Sequence, residues 1–135
     1  MTTRTILGAG LSVALVAAAI VGLSAQAPAF KRTILQQGDL SAPGREAVMA
    51  LAEFPAGSET GRHTHPGEEI SFVEAGPFVL EVDGEAPRTL QTGQVFMVPA
   101  GKIHNGHPLP GGTAKVVATY VIEKGKPVTS PAAAR

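Results

Sequence analysis

Hydrophobic and polar positions along the 135 residues follow two regimes. From Ile6 to Leu23 apolar residues run almost unbroken, with Arg4 ahead of them and Ala25, Ala27 and Ala29 behind. From Lys31 onward the apolar residues come in short runs, many of them alternating with polar ones and separated by Gly, Pro and Asp. Period-two alternation puts successive side chains on opposite faces of an extended chain, so short runs bounded by breakers read as strands. The predicted strands are Arg32–Leu35, Glu46–Phe54, Glu69–Glu74, Phe78–Val82, Gln94–Val98 and Ala114–Ile122. Breakers fall between them at Ala42-Pro43-Gly44, Pro55-Ala56-Gly57, Ala75-Gly76-Pro77, Asp83-Gly84, Pro99-Ala100-Gly101 and Pro110-Gly111-Gly112. Beyond the N-terminal apolar run nothing sustains a helical period.

Regularly spaced short strands with tight turns, together with sixteen glycines and eleven prolines, argue for an all-β sandwich or barrel. The length suits one domain, expected over residues 30–124. In the last run Lys115, Val117, Thr119, Val121 and Glu123 share one face, which leaves Val116, Ala118, Tyr120 and Ile122 for the core. Phe72, Phe78, Phe96 and Met97 are expected in the core or as pocket wall. Residues 125–135 have little to bury and are expected to be disordered.

The N-terminal run has the layout of a cleavable secretory signal peptide over residues 1–29. Cleavage after Ala27 would leave Pro28 first, so cleavage after Ala29 is favoured, with Phe30 as the first mature residue. A single Arg4 without a twin arginine points to the general secretory route, hence a periplasmic or secreted protein. The alternative is an uncleaved anchor, since about 18 apolar residues is the lower limit for a membrane span. Gly8, Gly10, Ser12 and Gly22 dilute the run and weigh against it. Once cleaved, the protein is expected to keep no stable association with the membrane.

Charge and cysteine content narrow the function. Loss of Arg4 with the leader leaves ten basic residues (eleven less one) against eleven acidic, a near-neutral balance that attracts neither nucleic acid nor anionic lipid. With no cysteine there is no disulfide framework, thiolate metal site or lipidated cysteine. A barrel this small gains by association, and a homodimer is expected.

All four histidines lie between His63 and His107. His63 and His65 are two apart, so on a strand they point the same way with Cα atoms roughly 6.6 Å apart, close enough for both rings to reach one ion. Glu69 has the same parity if the strand resumes in phase after Pro66-Gly67, while Glu68 points away. Imidazoles with one carboxylate form a nitrogen and oxygen set of borderline hardness, suited to Mn, Fe, Ni, Co, Zn or Cu(II).

The spacing of these residues resembles the cupin superfamily, whose first motif reads G-x5-H-x-H-x3-E-x6-G. Gly57, His63, His65, Glu69 and Gly76 satisfy every interval. The second motif, G-x5-P-x-G-x2-H-x3-N, is met by Gly93, Pro99, Gly101 and His104, and departs at its last position, where Pro108 stands for Asn and Asn105 is the nearest substitute. The resemblance implies a single jelly-roll-like β-barrel holding one divalent metal ion through His63, His65, Glu69 and His104. Gly57, Gly76, Gly93 and Gly101 read as turn or bulge residues with positive φ. His107 is expected in a solvated loop, and Lys102 as a surface charge.

Four protein ligands on a six-coordinate ion leave two positions for water, dioxygen or a chelating substrate. The resemblance therefore implies dioxygenase, isomerase or lyase chemistry on a small oxygenated molecule, with Glu69 as the candidate catalytic residue. The alternative is a non-catalytic module that captures a metal or small ligand.

Overall fold

The computed structural model describes residues 28–133. The signal peptide expected over residues 1–29 lies almost wholly outside them. Ten strands follow in order: β1 (Lys31–Asp39), β2 (Arg45–Phe54), β3 (His63–Thr64), β4 (Gly67–Ala75), β5 (Phe78–Val82), β6 (Arg88–Leu90), β7 (Val95–Val98), β8 (His104–Pro108), β9 (Ala114–Glu123) and β10 (Ser130–Pro131). No helix occurs among the described residues. The strands form two five-stranded sheets, β1-β2-β9-β4-β7 and β10-β3-β8-β5-β6, and every pairing is antiparallel.

Alternation decides which side chains face inward. On β9 Ala114, Val116, Ala118, Tyr120 and Ile122 are buried, as their parity predicts. On β2 the buried set is Glu46, Val48, Ala50, Ala52 and Phe54. The register Ala50↔Ala118 and Val48↔Tyr120 lays these rows side by side. Phe54, Phe78 and Phe96 pack in sequence at one end of the interior, with centroid separations of 5.2 and 5.7 Å, the first pair tilted and the second stacked, and Phe30 stacks on Phe54 at 5.1 Å.

Three expectations need correction. Phe72 and Met97 are 44% and 55% exposed, on the outer face of the first sheet beside Ile70 and Val95. Gly76 is absent from the positive-φ glycines, which include Gly57, Gly93 and Gly101; a Cβ on Gly76 would instead crowd the Leu90 carbonyl and the Val73 side chain at 3.1 Å. The segment after Lys124 is not disordered through Ala133. Ser130 and Pro131 pair with Thr64 and His63, the Ala132 amide donates to the Arg62 carbonyl, and Val128 packs on the core beside Tyr120 and Ile122. Backbone hydrogen bonding, one apolar side chain and donations from Arg32 to Thr129 and from Arg62 to the Ala133 carbonyl hold the segment, none of which its composition advertises.

Strands β3, β6, β8 and β10 were not expected. Their residues are few, polar or broken by Pro and Gly, so no alternation marks them; the neighbouring strands supply their partners. His107 accordingly sits half-buried on β8, not in a loop, with Nε2 3.9 Å from Glu81 Oε1.

Candidate metal centre

Three strands and one short connection bring four donors together. His63 on β3 is the direct register partner of His104 on β8. His65 follows one residue beyond β3, and Gly67 opens β4 with inward parity, so Glu69 points inward as predicted. Gly67 makes that phase possible, because a Cβ there would lie 1.9 Å from the Val121 carbonyl oxygen and β4 could not close on β9. Glu69 then pairs with Tyr120 on one side and Val98 on the other.

His63, His65, Glu69 and His104 are all buried, and one ligand atom from each lies within 4.8 Å of the others. His63 Nε2 is 3.2 Å from His65 Nε2, and Glu69 Oε2 is 3.0 Å from His65 Nε2 and 3.2 Å from His104 Nε2. The second carboxylate oxygen, Oε1, accepts a hydrogen bond from Ser71 Oγ at 2.7 Å, which leaves Oε2 as the donor facing the histidines.

The opposite side of each ring fixes its tautomer. Nδ1 of His63 donates to the Gly61 carbonyl at 2.7 Å, Nδ1 of His104 to the Lys102 carbonyl at 2.9 Å, and Nδ1 of His65 to the Val128 carbonyl at 2.5 Å. A carbonyl only accepts, so each Nδ1 must carry a proton, and in the neutral rings each Nε2 presents a lone pair. Three lone pairs and a carboxylate oxygen thus converge on one buried point. Only positive charge stabilises such an arrangement, and the borderline nitrogen and oxygen set fits a first-row divalent ion. The group could therefore hold a metal ion.

Electrostatics agree. Burial pushes the His63 imidazolium down to about 4, and His104 and His65 push it the same way, against the hydrogen bond to Gly61 and the charge of Glu69. Burial alone would raise the Glu69 carboxyl. With no ion between them, a ring protonated on Nε2 as well can donate to the carboxylate, and such bonds from His104 and His65, with the one from Ser71, outweigh burial and hold the group well below the usual carboxylate range. Burial, followed by the Glu69 charge, raises Tyr120 above its ordinary value, so its hydroxyl stays protonated.

Around the donors lies a narrow cavity of about 20 Å³, bounded by Phe54, Phe78, Phe96, Leu80, Tyr120 and Arg32 among others. That is room for about one water-sized group. The Tyr120 ring packs against His65 with centroids 4.6 Å apart. Sequence reasoning placed Tyr120 in the core but gave it no part in the site, and it gave none to Arg32, Ser71 or the Val128 carbonyl. Inward parity of the chain's one tyrosine was the available signal for the first; a backbone carbonyl has none. Asn105 does not join the donors: its amide donates to Glu59 and Glu81, and its carbonyl oxygen accepts from Thr60. Lys102 contributes its backbone carbonyl alone to the site.

Two facing antiparallel sheets with a histidine and glutamate cluster inside define a protein of the cupin class. The Cupin domain family profile matches residues 50–122, more than half of the chain, and the chain belongs to that family. Among solved structures, a cupin superfamily protein from Desulfitobacterium hafniense is similar at a TM-score of 0.60 and 23% identity, covering 75% of this chain and 84% of that one. DMSP lyase from Ruegeria pomeroyi is similar at 0.57 and 24% identity, over 63% of this chain and 42% of the lyase. An oxalate oxidase in complex with the substrate analogue glycolate is similar at 0.51 and 23%, over 55% of this chain and 41% of the oxidase. None of the curated proteins matches the sequence.

Proposed function

We propose that the protein is an exported cupin that holds one divalent metal ion through His63, His65, Glu69 and His104 and acts on a small oxygenated organic molecule. The observation that carries the reading is the three Nδ1 atoms turned to carbonyls, which leaves three Nε2 lone pairs and Glu69 Oε2 facing one another. A divalent ion there would supply Lewis acidity or, if redox-active, access to dioxygen. The chain's own contribution is binding and orientation. Ser71 fixes the Glu69 carboxylate, the phenylalanines exclude bulk water, and the protonated Tyr120 hydroxyl is a hydrogen-bond donor beside the cluster. Among the similar structures are a lyase and an oxidase, which supports placing lyase, isomerase or dioxygenase chemistry first.

A non-catalytic role, capturing a metal or small ligand, is the second reading. The narrowness of the cavity favours it. Metal analysis of the purified protein, with His63→Ala and His104→Ala alongside, tests the shared part: the wild type should carry about one first-row divalent ion per chain and the variants little. No affinity for any such ion would overturn both readings. Turnover of small oxygenated compounds by the loaded protein then separates them. Export rests on Arg4, the run from Ile6 to Leu23 and the small residues after it, and N-terminal sequencing of the exported protein should begin at Phe30.

A further inference from the structure

His63, His65, Glu69 and His104 are between 3% and 6% exposed, and the space beside them takes about one water-sized group. An ion with its hydration shell, or any organic molecule, therefore reaches the donors only when part of the wall moves. β1 and β10 are edge strands, one of each sheet. They meet where Arg32 on β1 donates from Nη1 to Oγ1 of Thr129, one residue before β10, at 2.8 Å. Among the described residues no backbone hydrogen bond joins the two. At the other two edges, β6 and β7, the chain itself crosses between the sheets in residues 91–94. The seam between β1 and β10 is thus held by side chains, and Phe30 and Arg32 beside it line the cavity of the donors.

The C-terminal segment is the less firmly held side of this seam. β1 pairs along β2 from Lys31 to Asp39, whereas β10 pairs with β3 at Ser130 and Pro131 only. Pro127, Ser130, Pro131 and Ala133 are exposed, and Val128 is the one apolar side chain of the segment packed on the core. Beyond that it hangs on the Arg32 clasp, the bond from His65 to the Val128 carbonyl, and one backbone and one side-chain bond to Arg62. Segments with so few buried apolar contacts open at low free-energy cost while the rest of the domain stays folded. Arg32 favours opening as well, because its Nε is buried without a hydrogen-bond partner and meets water once the segment lifts. The same movement takes the Val128 carbonyl from His65 and loosens that ring, so entry and release of an ion share one step.

We propose that the C-terminal segment from Pro127 to Ala133 is the door of the barrel. It lifts from β1 and β3 to admit metal and ligand to the donors, and the clasp between Arg32 and Thr129 sets how often it opens. The proposal rests on the metal reading above only for what passes through.

The chain has no cysteine, so one disulfide can be introduced without competitors. Thr64 and Ser130 are register partners, and the Cα separation of an antiparallel pair, about 4.5–5.5 Å, suits a disulfide. The test treats metal-free wild type, Thr129→Val, and the double variant Thr64→Cys/Ser130→Cys in oxidised and reduced form with diethyl pyrocarbonate, and follows carbethoxylation of each histidine by mass spectrometry. His107, half-buried on β8, is the internal standard. Relative to it, His63, His65 and His104 should label at least about 10-fold more slowly in the oxidised than in the reduced form. They should label about 10-fold faster in Thr129→Val than in wild type, since that variant removes the acceptor of a charged donor. Zinc release from the loaded proteins to a chelator should follow the same order. Equal labelling, or equal zinc release, in the oxidised and reduced forms overturns the proposal, and so does labelling in Thr129→Val no faster than in wild type. Labelling that rises steeply with subdenaturing urea also overturns it, because global unfolding is then the route. If the wild type takes up no first-row ion the metal reading fails by itself, and labelling of the metal-free protein still decides the door.

Discussion

His63 and His104 are direct register partners across β3 and β8, their ring centroids 4.2 Å apart, and each turns its Nδ1 to the carbonyl of the residue two before it, Gly61 and Lys102. The same local device thus orients two ligands on neighbouring strands. Both Nε2 atoms are aimed inward by backbone geometry, so the pair is set before any ion arrives. Removing either ring should therefore abolish tight binding without disturbing the strands. His63→Ala and His104→Ala are each expected to lower metal affinity by at least about 100-fold, measured by competition with a chromophoric chelator, with an unchanged far-ultraviolet circular dichroism spectrum. Glu69→Gln keeps the shape and removes the charge, and should weaken the site while leaving His63 and His104 in register.

His65 is oriented differently, by the Val128 carbonyl sixty-three residues away. This makes the C-terminal segment a positioning element for one ligand. A chain ended after Lys126 should fold, since it retains β1 to β9, but its His65 ring loses the acceptor that fixes the tautomer. Metal affinity is expected to fall by about 10- to 100-fold, the usual cost of losing such a partner. The discriminating readout is the visible spectrum of the cobalt-loaded protein. It should broaden in the shortened chain, whereas an unchanged spectrum and affinity would show that the segment only covers the barrel.

The sequence carried the site better than the walls around it. His63, His65 and Glu69 share a parity, and Gly67 preserves it by letting β4 lie flush against β9. The β9 alternation fixed the core face for the same reason. The parity that selected Glu69 also puts Phe72, three residues on, on the opposite face, and Phe96 and Met97 as neighbours cannot both point inward. Aromatic and apolar character outweighed parity in that reading. Arg32 was illegible for a different reason: β1 is exposed along most of its length and carries a register shift between Ile34 and Gln36, so it has no clean period. The fixing of His65 by Val128 depends on a carbonyl, which every residue possesses.

The interior between the sheets and the outer face of the first sheet make unequal demands on packing. Phe78 on β5 is buried, packed between Phe54 and Phe96, with its ring over Gly106, where a Cβ would meet it at 2.4 Å. Phe78→Ala should destabilise by about 3–5 kcal/mol in urea unfolding. Phe72→Ala, on the exposed face, should cost less than about 1 kcal/mol. A loss at Phe72 as large as that at Phe78, and dependent on protein concentration, would mean that a second copy covers Ile70, Phe72, Val95 and Met97 in solution.

Acid should unfold the metal-free protein in two stages of the same sign. His63 has its proton affinity lowered from 6.5 to about 4 by burial. The unfolded chain therefore takes up this proton first as the pH falls, so the stability it contributes is complete above about 6.5 and is lost on the way down to about 4. The size is at most about 3 kcal/mol. Glu69 is lowered below its ordinary 4.5, against burial, by His104, His65 and Ser71. Its contribution is present above about 4.5 and disappears as the pH drops further. Chemical denaturation of chelator-treated protein between pH 7.5 and 3.5 should thus show stability declining from about 6.5 downward, with a steeper fall below about 4.5. The comparison that isolates the first stage is the slope in His63→Ala, which should be flatter between about 6.5 and 4.5 whatever its absolute stability. Bound metal should move the whole decline to lower pH, because protons must then displace the ion before they reach the rings.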